Sequence, residues 1–249
     1  MDTISFDFRT SPHLLLSGGS GSGKSYLLRY LLEMFAYSGE VILIDSKLSD
    51  GARWAKKYLE DNKNLELIIP EFSNIQNDSY DTSGLGDSFL KKVNSRLTSI
   101  ESELYRRQSN LFNKSEKIST DFKELSYEQI VIVIDELVAL LSNATKPVKE
   151  KFFGLLTRIS TLGRESGIFL YISLQSAKAE YIPSVVRDQM SVRILLGRID
   201  KTTIQYTFPE MTESLFIPLG GKGTGIISIQ GDYNYSGIEP LATPTILER

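Results

Sequence analysis

Eight consecutive residues, Gly18-Gly19-Ser20-Gly21-Ser22-Gly23-Lys24-Ser25, fit the spacing G-x-x-x-x-G-K-[ST] without a mismatch. The glycines let successive backbone N–H groups turn inward onto one anion, where a Cβ would obstruct the turn. His13 to Ser17 reads as a buried strand, and the amphipathic stretch after Gly23 reads as a helix through about Tyr37. A loop in that position is followed by a helix that points its free N–H groups and positive dipole end at the same spot. The pattern therefore predicts a phosphate cradle. Lys24 would contact the β- and γ-phosphates of a nucleotide, and Ser25 would place its hydroxyl on Mg²⁺. A Gly/Ser-rich linker could match by chance, but the apolar strand before it and the helix after it argue against that.

Leu16-Ser17-Gly18-Gly19-Ser20 is superficially similar to the signature stretch of ABC ATPases. It overlaps the phosphate loop itself, so it cannot be a separate element.

A second feature answers the first. Ile130-Val131-Ile132-Val133-Ile134 is an unbroken β-branched run, as expected of a central parallel strand covered on both faces. It ends in Asp135-Glu136, which places two carboxylates at the C-terminal end of the strand, the edge where open α/β sheets bind ligands. Asp135 would hold Mg²⁺, and Glu136 would orient and deprotonate a water. An acid directly after the metal-binding Asp favours hydrolysis over phosphoryl transfer. A plain helix-start pair favoured by the dipole is the competing account.

Short β-branched runs alternate with helical stretches along the rest of the chain, which predicts an α/β fold with a mostly parallel sheet flanked by helices. Further strands are read at Val41–Asp45, Leu65–Ile69, Ile168–Leu174 and Val192–Leu196, with a less certain one at Ile226–Ile229. Helices are read at Ala52–Glu60, about 86–112, and Lys149–Leu162. Polar insertions are expected near 72–83 and 113–127. The chain has no cysteine and one histidine, His13, so thiolate and His-rich zinc sites are excluded and metal chemistry must rest on oxygen ligands. His13 itself is expected to be a satisfied structural histidine beneath the phosphate loop. No apolar run approaches the roughly 20 residues a bilayer requires, and no leader is read at the start, so a cytoplasmic location is expected. A net charge of −3 gives no global basic field, though it leaves room for local Lys and Arg in the pore of a ring.

With both motifs placed, the chain resembles the FtsK/SpoIIIE branch of the additional-strand P-loop ATPases, which also contains HerA-like and conjugative coupling motors. Pro12-His13-Leu14-Leu15 is similar to that family's lead-in, and Leu43-Ile44-Asp45-Ser46-Lys47 to its I-D-P-K segment, with Ser46 in place of Pro. Gly163-Arg164-Glu165-Ser166-Gly167-Ile168 resembles A-R-A-A-G-I, Ser173-Leu174-Gln175-Ser176 resembles A-T-Q-R, and Asp200-Lys201-Thr202-Thr203-Ile204 resembles D-S-R-T-I. The Glu101 to Arg107 stretch is similar to the family's charged long helix.

The resemblance implies a RecA-like P-loop NTPase fold, ATP and Mg²⁺ as cofactors, and one motor domain over residues 1–249 without a winged-helix or membrane domain. It implies a ring, hexameric by expectation, that pumps double-stranded DNA. A coupling ATPase moving single-stranded DNA and a secretion-type ATPase acting on protein are the rival readings. Gln175 would sense the γ-phosphate or hold the lytic water, against a capping amide as the plain alternative. Arg164 would enter the neighbouring subunit's site to neutralise transition-state charge, against a surface arginine at a helix end. Arg193 ranks below it. Ser176-Ala177 replaces the family's Arg-Pro, so details of that loop do not carry over. Lys178, Arg187 and Lys222 are read as solvated loop charges before pore contacts. Tyr233 and Tyr235 are read as packing residues, with adenine stacking as the lesser option, and Trp54 as core.

Overall fold

The run Ile130–Ile134 alternates between two cores. In the computed structural model, which describes residues 3–58, 62–71, 85–175, 181–197, 201–209, 221–235 and 237–244, Ile130, Ile132 and Ile134 face one apolar cluster and Val131 and Val133 the other. The strand carrying them, β4 (Gln129–Asp135), lies between β2 (Gly39–Asp45) and β5 (Ile168–Leu174), parallel to both. A strand flanked in this way and covered on both faces has no wet side, which is why it reads as a continuous apolar run.

With β1 (Leu14–Gly18), β3 (Leu65–Ile68), β6 (Val192–Leu196), β7 (Thr224–Ile229) and β8 (Ile238–Ala242), the sheet has the order β3-β2-β4-β5-β1-β6-β7-β8. Pairings from β3 through β6 are parallel, and β7 and β8 add antiparallel. The expected α/β class and mostly parallel sheet are therefore found.

One face carries α3 (Leu85–Lys114), α4 (Leu137–Leu141), α5 (Lys146–Ser166) and α6 (Ser184–Asp188). Along α3 the buried residues include Leu90, Val93, Leu97, Ile100 and Leu104, a stripe at spacings of three and four. It packs with Phe152, Leu155, Leu156 and Ile159 of α5. Arg107 of α3 is buried, donates to Glu103 Oε1 at 2.7 Å and to the carbonyls of Glu128 and Ser166 at 2.8 and 2.9 Å, and so ties the helix to the sheet's entry edge. The opposite face carries α1 (Lys24–Ser38) and α2 (Asp50–Tyr58) over Phe8, Leu14, Leu16, Phe169 and Tyr171. A last helix, α7 (Lys201–Thr207), lies by β6 and β1.

Several expectations shift. The polar insertion at 72–83 lies outside the described residues, as do Lys178, Ser176-Ala177 and Asp200. The stretch after α3 is pinned: Phe122 is buried against Gly167 and Phe169, and Glu124 accepts from Ser115 at 2.9 Å and Thr120 at 3.0 Å. Trp54 is only partly buried and stacks on Tyr58 at 4.6 Å. Tyr233 is exposed rather than packed, whereas the Tyr235 hydroxyl accepts from the Ser5 N–H at 2.9 Å.

His13 is structural, but it sits at the start of β1, the end of that strand away from the phosphate loop. It is fully buried; Nδ1 accepts the Leu170 N–H at 3.0 Å and Nε2 donates to the Ser160 carbonyl at 2.9 Å, joining β1, β5 and α5. Burial pushes its pKa down from 6.5 to about 4, against a smaller upward pull from Ser160. The fold thus holds neutral imidazole, and protonation favours the unfolded chain. The stability His13 lends is complete above pH 6.5 and is lost as pH falls toward 4, a change of about 3 kcal/mol. Urea midpoints measured between pH 7 and 4.5 should fall steeply for the wild type and less steeply for His13→Asn. Equal slopes would contradict the assignment.

Candidate functional site

Parallel pairing fixes which edge each motif reaches. β1 and β4 both run parallel to β5, which lies between them, so the loop after Gly18 and the acids after Ile134 emerge at the same edge. Gln175 follows the end of β5 and therefore stands between the two. That is the crevice at the strand C-termini where α/β sheets take ligands.

The loop residues have the conformations the motif requires. Gly21 and Gly23 adopt φ of 76° and 106°, in the left-handed region that side chains resist. A Cβ on Gly18 would stand 2.7 Å from the Leu196 carbonyl and 2.8 Å from Ser22 Oγ, so bulk is excluded there too. The Ser22 hydroxyl is buried with no hydrogen-bond partner. Gly19 and Ser20 complete the turn, and Ser25 is exposed in the first turn of α1. Lys24 Nζ donates to the Gly18 carbonyl and, at 3.2 Å, to the Gly19 carbonyl. Burial lowers the Lys24 pKa, while the carboxylates of Glu136 and Asp135 pull it back up. The ammonium thus already lies in the field of the two acids.

Glu136 is buried and holds φ 64°, ψ 76°, a left-handed conformation for a residue with a side chain. Such a conformation costs on the order of 1–3 kcal/mol and persists only where the surroundings enforce it. Its Oε1 accepts the Gln175 N–H at 3.4 Å, and its Oε2 lies 3.8 Å from Lys47 Nζ. α4 begins directly after it and buries Leu137, Leu140 and Leu141, which fixes the turn.

Two residues that the sequence reading gave no role join the site. Asp45 ends β2 directly opposite Asp135 in the parallel register, and it is 1% exposed. Ser49 Oγ bonds the Asp45 carboxylate and lies 3.0 Å from Asp135 Oδ2. Burial raises the Asp135 pKa first, with the Asp45 charge adding to it and the Ser49 bond opposing. A signal for Asp45 was present: Val41-Ile42-Leu43-Ile44-Asp45 and Val131-Ile132-Val133-Ile134-Asp135 share one pattern.

Three acids thus gather near the ammonium groups of Lys24 and Lys47, and bound phosphates would add further negative charge. A divalent cation fits that imbalance. Among the described residues no group of three or more acidic or histidine side chains could hold a metal alone. Mg²⁺ ordinarily takes one or two protein carboxylates together with substrate phosphates.

The arginines lie elsewhere. Arg164 is in the last turn of α5, by the start of β5, at the edge opposite the phosphate loop. It is more than half exposed, 3.6 Å from Glu165, and lines a charged cleft of about 480 Å³ with Arg9, Lys117 and Lys123. It does not enter its own chain's site. Arg193 is buried, donating to the Met190 carbonyl at 2.9 Å and the Thr207 carbonyl at 3.4 Å, so it is an internal brace and not a projecting group.

A phosphate loop and an acidic strand end sharing one edge, with an extra strand between them, define a P-loop nucleoside triphosphatase of the additional-strand kind. The family model described as ABC transporter matches residues 1–145, the stretch from the N-terminus through both motifs. Among curated proteins, the FtsK domain-containing protein YdcQ of Bacillus subtilis is 24% identical over 230 residues, 92% of this chain and 43% of that protein. The DNA translocase FtsK of Tropheryma whipplei is 28% identical over 193 residues, 74% of this chain and 24% of that protein. Among solved structures, the pCW3 conjugation coupling protein TcpA with ATPγS superposes with a TM-score of 0.63 at 22% identity, over 92% of this chain and 60% of that one. The chain belongs to the P-loop ATPase family that the matched model describes, and its curated relatives at 24% and 28% identity are FtsK-type proteins. It spans less than half the length of these two curated relatives. The ABC-like stretch at Leu16–Ser20 lies in β1 and the phosphate loop, as its position in the sequence requires.

Proposed function

We propose that the chain is the ATP-hydrolysing motor of a ring that translocates double-stranded DNA, acting as one motor domain in the cytoplasm. The observation that carries this is the shared edge: phosphate loop, Gln175 and Asp135-Glu136 converge there through the strand order. The likeness to FtsK proteins supports DNA as the load. Among the described residues no helix is long and apolar enough to cross a membrane.

The phosphates of ATP would lie on the loop N–H groups of Gly18 to Ser25, with Lys24 on the β- and γ-phosphates. Ser25 and Asp135 would hold Mg²⁺, which would neutralise charge on the phosphate oxygens. Glu136 takes the proton of the attacking water. Gln175 orients that water from the intervening strand. Arg164, placed on the far edge of its own chain, is available only to a neighbour's site, and this supports a closed assembly in which each subunit completes the next.

Rates of ATP hydrolysis measured with long linear duplex, with single strands and with neither provide the test. Duplex DNA should stimulate the rate several-fold. Stimulation by single strands alone would select a coupling ATPase. No response to either would reject a DNA motor and leave a protein load.

A further inference from the structure

The strand order separates the two ends of any nucleotide lying on the phosphate loop. Its terminal phosphate must face β5 and β4, where the acids stand, so its nucleoside extends over the other side of β1, toward β6 and β7. The wall on that side is the turn Gly221-Lys222-Gly223 at the start of β7.

The turn is clamped to the loop. The Gly223 N–H donates to the Ser22 carbonyl at 2.8 Å, the Thr243 N–H donates to the Gly223 carbonyl at 2.8 Å, and the Gly197 N–H donates to the Thr224 carbonyl at 2.8 Å. A Cβ on Gly23 would stand 2.8 Å from Gly223 Cα and N, so the two backbones are in contact with no room for a side chain between them. Gly221 and Gly223 hold φ of 112° and 83°, which frees the turn to adopt this course and leaves Lys222 as its one side chain.

Lys222 Nζ lies 4.6 Å from the centroid of the Tyr26 ring. Tyr26 directly follows Ser25 in the first turn of α1 and is 37% exposed. Arg29, one turn on, lies 5.7 Å from the same ring, and its Nε is buried without a hydrogen-bond partner. Two cations and an exposed aromatic face thus stand beside the cradle on the side away from the acids. A cation over an aromatic ring is a modest contact, which an anionic ligand can outbid.

We propose that Tyr26, Lys222 and Arg29 form the nucleoside-end subsite, resting on the nucleotide reading above. Lys222 takes the α-phosphate, Tyr26 presents its ring to the ribose and base, and Arg29 backs the ring. The subsite accepts a nucleoside triphosphate and distinguishes it from bare polyphosphate.

Calorimetric titration of ATPγS and of inorganic tripolyphosphate, with Mg²⁺, into wild type, Tyr26→Ala, Lys222→Ala and Lys222→Arg tests this. Lys222→Ala should weaken both ligands about tenfold, with Lys222→Arg restoring most of the loss. Tyr26→Ala should weaken ATPγS about fivefold or more and leave tripolyphosphate unchanged. Wild-type affinity for ATPγS in both alanine variants would overturn the proposal. So would an equal loss for the two ligands in Tyr26→Ala, which would make the ring a prop for the loop. A wild type that binds neither ligand would overturn the nucleotide reading itself.

Discussion

Glu136→Gln should reduce ATP hydrolysis by about 10²–10⁴-fold while leaving ATP binding close to that of the wild type. The substitution keeps the shape of the side chain and its capacity to accept the Gln175 N–H. It removes the carboxylate proposed to take the water's proton, together with one charge in the field around Lys24. Backbone strain at φ 64° is the same for Gln as for Glu, so the fold should be undisturbed. Rapid-quench hydrolysis together with equilibrium binding separates the two effects. Parallel loss of binding and hydrolysis would mean that Glu136 shapes the site and does not act on water.

Arg164→Ala should reduce hydrolysis by about 10³-fold in the assembled protein, the scale on which an inserted arginine stabilises a phosphoryl-transfer transition state. Its ion pair with Glu165, at 3.6 Å, is exposed, and such pairs contribute under about 1 kcal/mol, so folding should be unaffected. In the proposed ring, an arginine at the far edge acts on a neighbour's site, so the expected effect is intermolecular. Mixing Arg164→Ala with Lys24→Ala subunits should then restore part of the activity, because each supplies what the other lacks. Absence of restoration, with both variants assembled, would leave Arg164 a surface residue.

Both predictions concern residues visible in the sequence, and the reason is local. The phosphate loop is contiguous, and β4 announces its burial and its acidic end within seven residues. The bounds read for β5 and β6 are the observed ones, because strands buried on both faces are mostly apolar, here interrupted only by Ser173 in β5 and Arg193 in β6.

What was missed is what depends on distant partners or short spans. α4, α6 and α7 have five, five and seven residues, too few for a helical period to emerge. β8 is an edge strand with an exposed pattern and Pro240 inside it, which argues against a strand in any local reading. Asp45 shares the strand pattern of Asp135, but its place in the site comes from their register, and that of Lys222 from the return of β7 beside the loop. Arg193 stands as a second candidate in the sequence, ranked below Arg164, because a strand arginine looks the same there whether it projects or braces.

The proposed chemistry requires the terminal phosphate of ATP to lie between the phosphate loop and the acids that end β4. A crystal structure of Glu136→Gln with Mg²⁺ and ATP should place the γ-phosphate at Lys24, facing Asp135 and residue 136 across the end of β5, with the nucleoside over β6 and β7. A nucleotide bound in the reverse sense, or at any other edge of the sheet, would contradict it.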